Sequence, residues 1–540
     1  MTSPPDLRSH GVGAGPTRQR RPVYVDLLPP CNNACPAGEN IQAWLALAQA
    51  GKWEEAWQVA MQDNPMPAVM GRVCYHPCED GCNRTFIDSP VSIHAVERFL
   101  GDQAIEKNWK VTYDKNPGGK RVLIVGAGPS GLSAAYHLTR LGHTVEIREA
   151  GPVAGGMMHF GIPAYRLPRN VLDHEVKRIQ AMGVKITCNH KVENVMEEKR
   201  AGHFDAVFIA VGAHLSKRID IPSRDAGKLL DAITFLKQVE QGQAPKVGRR
   251  VAVYGGGNTA MDAARTAKRL GADEALIIYR RDRQYMPAHE FEADEALEEG
   301  VKINWLRTIK AVDEDTLTVE VMRLEGGRPM PTGQFETLEA DSLILALGQD
   351  SDTGFLKNVP GIEFNADGTV IVGSDMMTGS KGIFAGGDMV PSKRNVAVAI
   401  GHGKKAARYI DGFLRGKPYE KPLKHPVVGH TRLHLWYKTH APKTEQAELP
   451  AVKRIESFEE IKAGLTQEEA VFESQRCLSC GNCFECDGCF GACPEDAIIK
   501  LGPGNRYRYD YERCTGCGVC YEQCPCHAIE MIPEPKNKIH

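Results

Sequence analysis

Seventeen cysteines, most of them in ordered spacings, constrain this 540-residue chain more than any other feature. The stretch RCLSCGNCFECDGCFGACPEDAI, residues 476–498, holds six of them: Cys477, Cys480, Cys483, Cys486, Cys489 and Cys493. The last four follow C-x2-C-x2-C-x3-C-P, and the same run returns as Cys514, Cys517, Cys520 and Cys524-Pro. The N-terminal stretch MTSPPDLRSHGVGAGPTRQRRP has no apolar leader. In a large chain of that kind the spacing points to metal rather than disulfides, and to a reducing, cytoplasmic setting. Zinc sites need only C-x2-C pairs, whereas three-step runs closed by C-P are those of [4Fe–4S] clusters. In paired runs the fourth cysteine serves the other cluster. One cluster is therefore expected on Cys483, Cys486, Cys489 and Cys524, the other on Cys514, Cys517, Cys520 and Cys493. Cys477 and Cys480 are left over.

The rest of the chain is too long for one core. Its 42% hydrophobic and 25% charged residues are those of a globular protein. A net charge of −2 gives no nucleic-acid footprint, and no apolar run is long enough for a membrane span. Residues 1–22 read as a disordered tail and 23–115 as a helical, cysteine-bearing domain, with Cys31, Cys35, Cys74, Cys78 and Cys82 flanking helical spacing in IQAWLALAQAGKWEEAWQVAMQDN. Residues 420–475, rich in Pro and charge, read as a linker wrapping over something, and 476–540 as the ferredoxin-like domain.

Between them lie two nucleotide-binding units. KRVLIVGAGPSGLSAAYHLTRLGHTVEIREA is strand, glycine turn, helix and strand, with Gly126, Gly128 and Gly131 in G-x-G-x-x-G. Those glycines allow a tight turn and let backbone N–H groups meet a pyrophosphate at a helix N-terminus. Glu149 closes the second strand, where a carboxylate holds ribose hydroxyls. A second unit from Arg250 carries Gly255, Gly257 and Ala260. The position of its acid is taken by Tyr279, Arg280 and Arg281. Arginine attracts a 2′-phosphate, so NADP(H) is favoured, with NAD(H) left open; solvated surface charges are the alternative reading of this pair. Two units imply two nucleotides. The expected boundaries are 116–245 and 340–419 for the first nucleotide domain and 246–339 for the inserted second one.

GAGPSG, GGMMHFGIPAYRLP, GGGNTAMDAART, YRRDRQYMPA and GIFAGGDMV together resemble the small (beta) subunit of NADPH-dependent glutamate synthase. The same module occurs in dihydropyrimidine dehydrogenase and in the large subunit of NADH-dependent ferredoxin:NADP oxidoreductase. The resemblance covers about residues 25–415. YRYDYERCTGCGVCYEQCPCHAI is similar to the delta (ferredoxin) subunit of pyruvate:ferredoxin oxidoreductases. The whole arrangement is similar to flavoprotein electron-transfer subunits of 2-oxoacid or aldehyde oxidoreductases and to the flavoprotein partner of reverse dissimilatory sulfite reductase. The implied fold is multidomain α/β. A helical Fe–S domain precedes two Rossmann-like domains, the NAD(P) domain inserted in the FAD domain, and an α+β bacterial-type ferredoxin domain follows. The resemblance implies FAD in the first unit, with Gly156 and Met157 and the strand-end Gly386, Gly387 and Asp388 among its contacts, and Asn258 beside the second nucleotide.

The family carries two [4Fe–4S] clusters in its helical domain, and its pattern begins with R-C-x2-C-G before C-x3-C-P. Here Cys31-x3-Cys35-Pro matches the second pair, but no cysteine precedes Cys31; R-C-x2-C-G stands instead at Arg476–Gly481. The resemblance therefore implies that Cys477 and Cys480 fold back to share a cluster with Cys31 and Cys82. The neighbouring cluster would use Cys35, Cys74, Cys78 and, in the family's carboxylate or amide position after VSI, Glu97. A redundant or redox-active pair is the other reading of Cys477 and Cys480. Only Cys188 and Cys526 remain, in contexts that read as ordinary strand or turn.

The implied function is an iron–sulfur flavoprotein moving electrons between NAD(P)H and a redox partner subunit or ferredoxin, through FAD and four [4Fe–4S] clusters, with no catalytic side chain. The partner is expected at the C-terminal domain, in a hetero-oligomer or a homodimer. A glutamate synthase small subunit and a scaffold without nicotinamide chemistry are the alternatives. The scaffold would show a broken second glycine motif, and Gly255, Gly257 and Ala260 are intact. The 18 histidines suggest no metal site of their own, and His402 reads as a packed helix residue.

Overall fold

The computed structural model describes residues 18–113, 119–217, 221–222 and 229–535. Most of the expected tail, residues 1–17, lies outside the described residues. The first sheet is parallel, in the order Ile383–Ala385, Ala206–Ile209, Arg121–Val125, Thr144–Arg148, Lys185–Thr187. Three of its strands, Ile383–Ala385, Ala206–Ile209 and Arg121–Val125, are short, almost wholly buried apolar runs, as expected where helices cover both faces. Helices Pro129–Arg140 and Val396–Arg415 pack on each other. They approach closely because Gly403 has no side chain: a Cβ there would stand 2.2 Å from the Ser130 carbonyl oxygen.

The second sheet is also parallel, in the order Lys302–Trp305, Glu274–Tyr279, Arg250–Tyr254, Ser342–Leu345, Leu229–Asp231. An antiparallel sheet of Arg307–Val312, Thr316–Glu325 and Arg328–Glu339 is inserted between its strands Lys302–Trp305 and Ser342–Leu345. This departs from the expected 246–339 boundaries: Leu229–Asp231 and Ser342–Leu345 both belong to the second sheet. All four residues of Ser342–Leu345 are buried, and a strand buried on both faces needs pairing on both edges, which the second sheet provides.

The N-terminal helices pack Trp44, Trp57, Met61 and Leu100 into a continuous core with the first sheet. Helices Pro67–Val73 and Ile93–Glu106 cross at glycines. A Cβ on Gly71 would stand 2.4 Å from the Arg98 nitrogen, and one on Gly101 2.3 Å from the Ala68 nitrogen. That crossing sets Cys74, which caps the first helix, against Glu97 on the second.

Two segments depart from their sequence reading. Arg20–Tyr24, partly assigned to the tail, is a strand paired antiparallel with Ile529–Pro533. Within the expected linker, Gln467–Gln475 is a helix that opens on a capping box of Thr466 and Glu469 and packs on the helical domain. Glu473 of that helix accepts from the Ser92 N–H (2.9 Å) and the Thr444 N–H (2.6 Å). No helix among the described residues is long and apolar enough to cross a membrane.

Candidate redox centres and nucleotide cavity

A cavity of about 700 Å³ opens at the C-terminal edge of the first sheet, where a nucleotide is expected to sit in such sheets. Gly126 has φ +104°, and its missing Cβ would otherwise meet the Ala210 carbonyl at 2.4 Å. A Cβ on Gly131 would stand 2.0 Å from the Gly126 carbonyl, whereas one on Gly128 would meet nothing within 4 Å. The turn is thus tight against protein on one side and open on the other, at the N-terminus of Pro129–Arg140. Ser130 Oγ, buried at that N-terminus, has no hydrogen-bond partner. An open cradle beside an unpaired hydroxyl fits a dinucleotide pyrophosphate. Both Glu149 oxygens accept backbone N–H groups, from Ala127 and Gly151, each at 2.7 Å. A carboxylate has lone pairs left for a ribose.

Gly156 and Met157 line the same cavity, as do Gly387 and Asp388. Gly386 precedes them at the end of the strand Ile383–Ala385. Burial pushes the Asp388 carboxyl up to about 6 against the opposing pull of the Arg394 guanidinium. The Gly387 N–H donates to His402 Nδ1 (3.2 Å), so His402 holds this turn rather than facing the cavity.

The second glycine turn repeats the first. Gly255 has φ +151°, its Cβ would meet the Ala346 carbonyl at 2.2 Å, and Gly257 faces open space. Ala260 is fully buried. Asn258 and Thr259 reach the large cavity, joining the two units. Arg280 is exposed and Arg281 half-buried; the Arg281 Nε has no hydrogen-bond partner. Sequence reasoning missed Tyr75. Its ring stacks on His289 at 3.7 Å, and Asn258 Nδ2 donates to its hydroxyl (2.6 Å). Tyr75 and Val73 both line the cavity and flank Cys74, so the cavity wall leads directly to Cys74.

The structure brings the N-terminal cysteines into two groups. Burial pushes the Cys31 thiol well up, and the neighbouring sulfurs of Cys477, Cys82 and Cys480 push it further. In this structure Cys477 and Cys480 lie beside Cys31 and Cys82. The anchor is Arg476, whose guanidinium is buried and fully paired. It donates to Glu473 (2.9 Å), Asp88 (3.0 Å) and the carbonyls of Pro90, Ser89 and Ala441. In the second group, burial and then Glu97 raise the Cys74 thiol, with Cys35 adding to it. Cys78 faces Cys74, Cys35 and also Cys31, so the two groups are neighbours. Burial and the Glu39 carboxylate hold the Glu97 carboxyl well above its usual range, and Asn64 Nδ2 donates to it at 2.5 Å. Glu39, itself pushed up to about 7 by burial and then Asp63, had no signal in the sequence. Backbone N–H groups point at the sulfurs of Cys74 (3.3 Å) and Cys477 (3.4 Å). Acidic donors packed together with N–H groups aimed at sulfur fit iron–sulfur clusters.

In the C-terminal domain Cys483, Cys486 and Cys489 lie together with Cys524, and Cys514 lies with Cys493 and Cys517. Cys520 faces Cys489, Cys514 and Cys517, so these two groups are neighbours as well. Cys188 stands apart, near Glu149. Cys526 differs from its reading as an ordinary turn residue: it is buried, with its sulfur 3.8 Å from that of Cys524. Away from the sulfurs, His76, Glu79 and His94 come close enough to grip an ion. The Glu79 carboxylate, however, already pairs with His94 (2.6 Å) and the Lys443 ammonium (3.0 Å).

The model of pyridine nucleotide-disulphide oxidoreductases matches residues 120–403, both glycine turns included. The chain belongs to this family. Residues 27–109 match the dihydropyrimidine dehydrogenase domain II, 4Fe-4S cluster, and 507–530 a 4Fe-4S binding domain. The chain is 35% identical to the NADP(+)-dependent formate dehydrogenase subunit beta of Moorella thermoacetica, over 84% of this chain and 70% of that protein. It is 34% identical to the NADPH-Fe(3+) oxidoreductase subunit beta of Geobacter sulfurreducens, over 84% and 75%. It is also 34% identical to the glutamate synthase [NADPH] small chain of Escherichia coli, over 72% and 89%. This pyridine nucleotide-disulphide oxidoreductase is thus a flavin- and nicotinamide-dependent enzyme that carries [4Fe–4S] domains and is related to the glutamate synthase small subunit.

Proposed function

We propose that this chain is the flavoprotein subunit of a hetero-oligomeric redox enzyme, passing electrons between NADP(H) and a partner subunit by way of four [4Fe–4S] clusters. The observation that carries this reading is a continuous file of side chains. Tyr75 lines the nucleotide cavity and adjoins Cys74. Cys78 of the same group faces Cys31 of the next. Cys480 of that second group is joined through Gly481 to Cys526, whose carbonyl accepts the Gly481 N–H at 2.6 Å. Cys526 adjoins Cys524, Cys489 faces Cys520, and Cys517 is exposed at the far end.

In this reading Gly126, Gly128, Gly131, Ser130 and Glu149 hold FAD at its pyrophosphate and ribose, and Gly156, Met157, Gly386, Gly387 and Asp388 close round it. When bound, FAD converts two-electron hydride chemistry into the one-electron traffic of clusters. The chain provides no nucleophile or proton donor. Its residues orient the two nucleotides and exclude water between Tyr75 and the sheet. Gly255, Gly257, Asn258 and Ala260 receive the nicotinamide dinucleotide, and Arg280 and Arg281 receive its 2′-phosphate. The ligand sets are Cys35, Cys74, Cys78 and Glu97; Cys31, Cys82, Cys477 and Cys480; Cys483, Cys486, Cys489 and Cys524; and Cys493, Cys514, Cys517 and Cys520. The two relatives matched over 84% of the chain are named as β subunits, which supports a partner subunit; in this reading its docking surface lies near the exposed Cys517.

The test is reduction of a viologen dye by the purified protein with NADPH or NADH. Turnover with NADPH well above NADH is expected. No turnover with either nucleotide would leave the chain a scaffold.

A further inference from the structure

The two C-terminal runs are copies of one another, and their fourth cysteines permit a comparison within one molecule. Cys493 is followed by Pro494, Glu495, Asp496 and Ala497; Cys524 is followed by Pro525, Cys526, His527 and Ala528. The Ala497 N–H donates to Cys493 Sγ at 3.3 Å, and the Ala528 N–H donates to Cys524 Sγ at 3.3 Å. The copies differ at the second residue after the cysteine. Glu495 is exposed and has no sulfur to offer. Cys526 is 2% exposed, with its sulfur 3.8 Å from Cys524 Sγ. A Cys524 sulfur bonded to iron has no proton to give, so Cys526 must be the donor in this contact. The main chain of Cys526 is equally committed, since its carbonyl accepts the Gly481 N–H at 2.6 Å beside Cys480.

We infer that Cys526 is a positioning residue: its thiol donates a hydrogen bond to the Cys524 sulfur, sets the reduction potential of that centre above that of its duplicate, and places the adjusted centre at the junction with the Cys480 group. The inference rests on the ligand sets proposed above. Reduction adds negative charge to a cluster and its thiolates. A hydrogen bond to a ligating sulfur stabilises that charge and raises the potential. The Cys524 sulfur has two donors where the Cys493 sulfur has one. The junction centre is thereby the better acceptor of the pair, and electrons collect where the two halves of the chain meet.

The experiment is an EPR-monitored redox titration of the anaerobically purified full chain. Cys524→Ser first identifies the signal of the junction centre. Cys526→Ala is expected to lower the midpoint of that signal alone. Cys526→Ser keeps a donor in place and is expected to recover part of the loss. The reciprocal change, Glu495→Cys, is expected to raise the midpoint of the Cys493 centre, and it decides the matter if Cys526→Ala fails to assemble. An unmoved midpoint in Cys526→Ala overturns the inference, as does an equal shift in Cys526→Ala and Cys526→Ser, which would reflect burial rather than hydrogen bonding. Four intact signals in Cys524→Ser would instead remove the ligand assignment beneath it.

Discussion

At the scale of single residues, Arg476 explains why a cysteine pair so far along the chain joins the N-terminal domain. Its guanidinium pairs with Asp88 and Glu473 and three carbonyls, all inside the protein. Removing it leaves the buried Glu473 carboxylate without its charge partner, which costs about 3–5 kcal/mol, whereas Asp88 keeps its pair with Arg84 (2.7 Å). Arg476→Ala is therefore expected to lose the centre held by its neighbour Cys477. Cys31→Ser and Cys477→Ser should abolish one and the same EPR signal; loss of two different signals would separate them. The two C-terminal cysteine runs were legible in the sequence because spacing is a covalent fact: adjacent ligands on one short turn have few places to go. The grouping of Cys31 and Cys82 with Cys477 and Cys480 was implied only by a resemblance, since no local spacing links the two ends of the chain. Cys526, Ser130, Tyr75 and Glu39 were not legible. Ser130, Tyr75 and Glu39 matter through a neighbour distant in sequence or through a partner they lack, and neither leaves a local pattern; Cys526 contacts Cys524 two residues away, but spacing does not say which way its sulfur turns.

At the scale of elements, the glycine turns separate folding from binding. A methyl group on Gly131 collides with the Gly126 carbonyl at 2.0 Å, while one on Gly128 meets no protein atom within 4 Å. Gly131→Ala is expected to destabilise the fold by about 1–3 kcal/mol or more. Gly128→Ala is expected to fold but to purify with little FAD, read as the flavin-to-protein absorbance ratio. Helix Asn258–Arg269 carries a second testable network. Arg265 and Arg269 both grip Glu299 (2.7 Å and 2.6 Å), and the Arg269 guanidinium lies 3.8 Å from the centre of the Tyr165 ring. Burial alone would raise the Glu299 carboxyl, but the Arg269 and Arg265 guanidiniums outweigh it and hold it below its usual range. A depressed carboxylate stabilises the fold above its unfolded pKa, and that stability is lost as pH falls through the folded value. Thermal unfolding from pH 6 down to 4 and below should show wild type losing this increment. Glu299→Gln should start lower and fall less steeply. The Rossmann turns and their helices could be read from glycine spacing and apolar periodicity. The pairing of Arg20–Tyr24 with Ile529–Pro533 could not, since a short strand takes its identity from a partner some 500 residues away.

At the scale of the whole molecule, the segment read as a linker is structural. Its helix Gln467–Gln475 and Arg476 tie the ferredoxin-like domain to the N-terminal helices; with the ligand sets proposed above, the two iron–sulfur halves would form one file rather than separate modules. In the proposed function, nucleotide choice lies with Arg280 and Arg281 at the other end. Removing the charges of Arg280 and Arg281 together should lower kcat/KM for NADPH by roughly 10- to 100-fold and leave that for NADH little changed, the value of a charged hydrogen bond or two. Equal losses with both nucleotides would mean the arginines support the fold instead. The central claim is that four clusters line the path from the nucleotide cavity to Cys517, and its most direct test is iron and acid-labile sulfide per FAD in anaerobically purified protein. About 16 iron, four for each of four cubanes, is the predicted result. About 12 would contradict it, leaving one N-terminal group of ligands without a cluster and the file broken between the flavin and the ferredoxin-like domain.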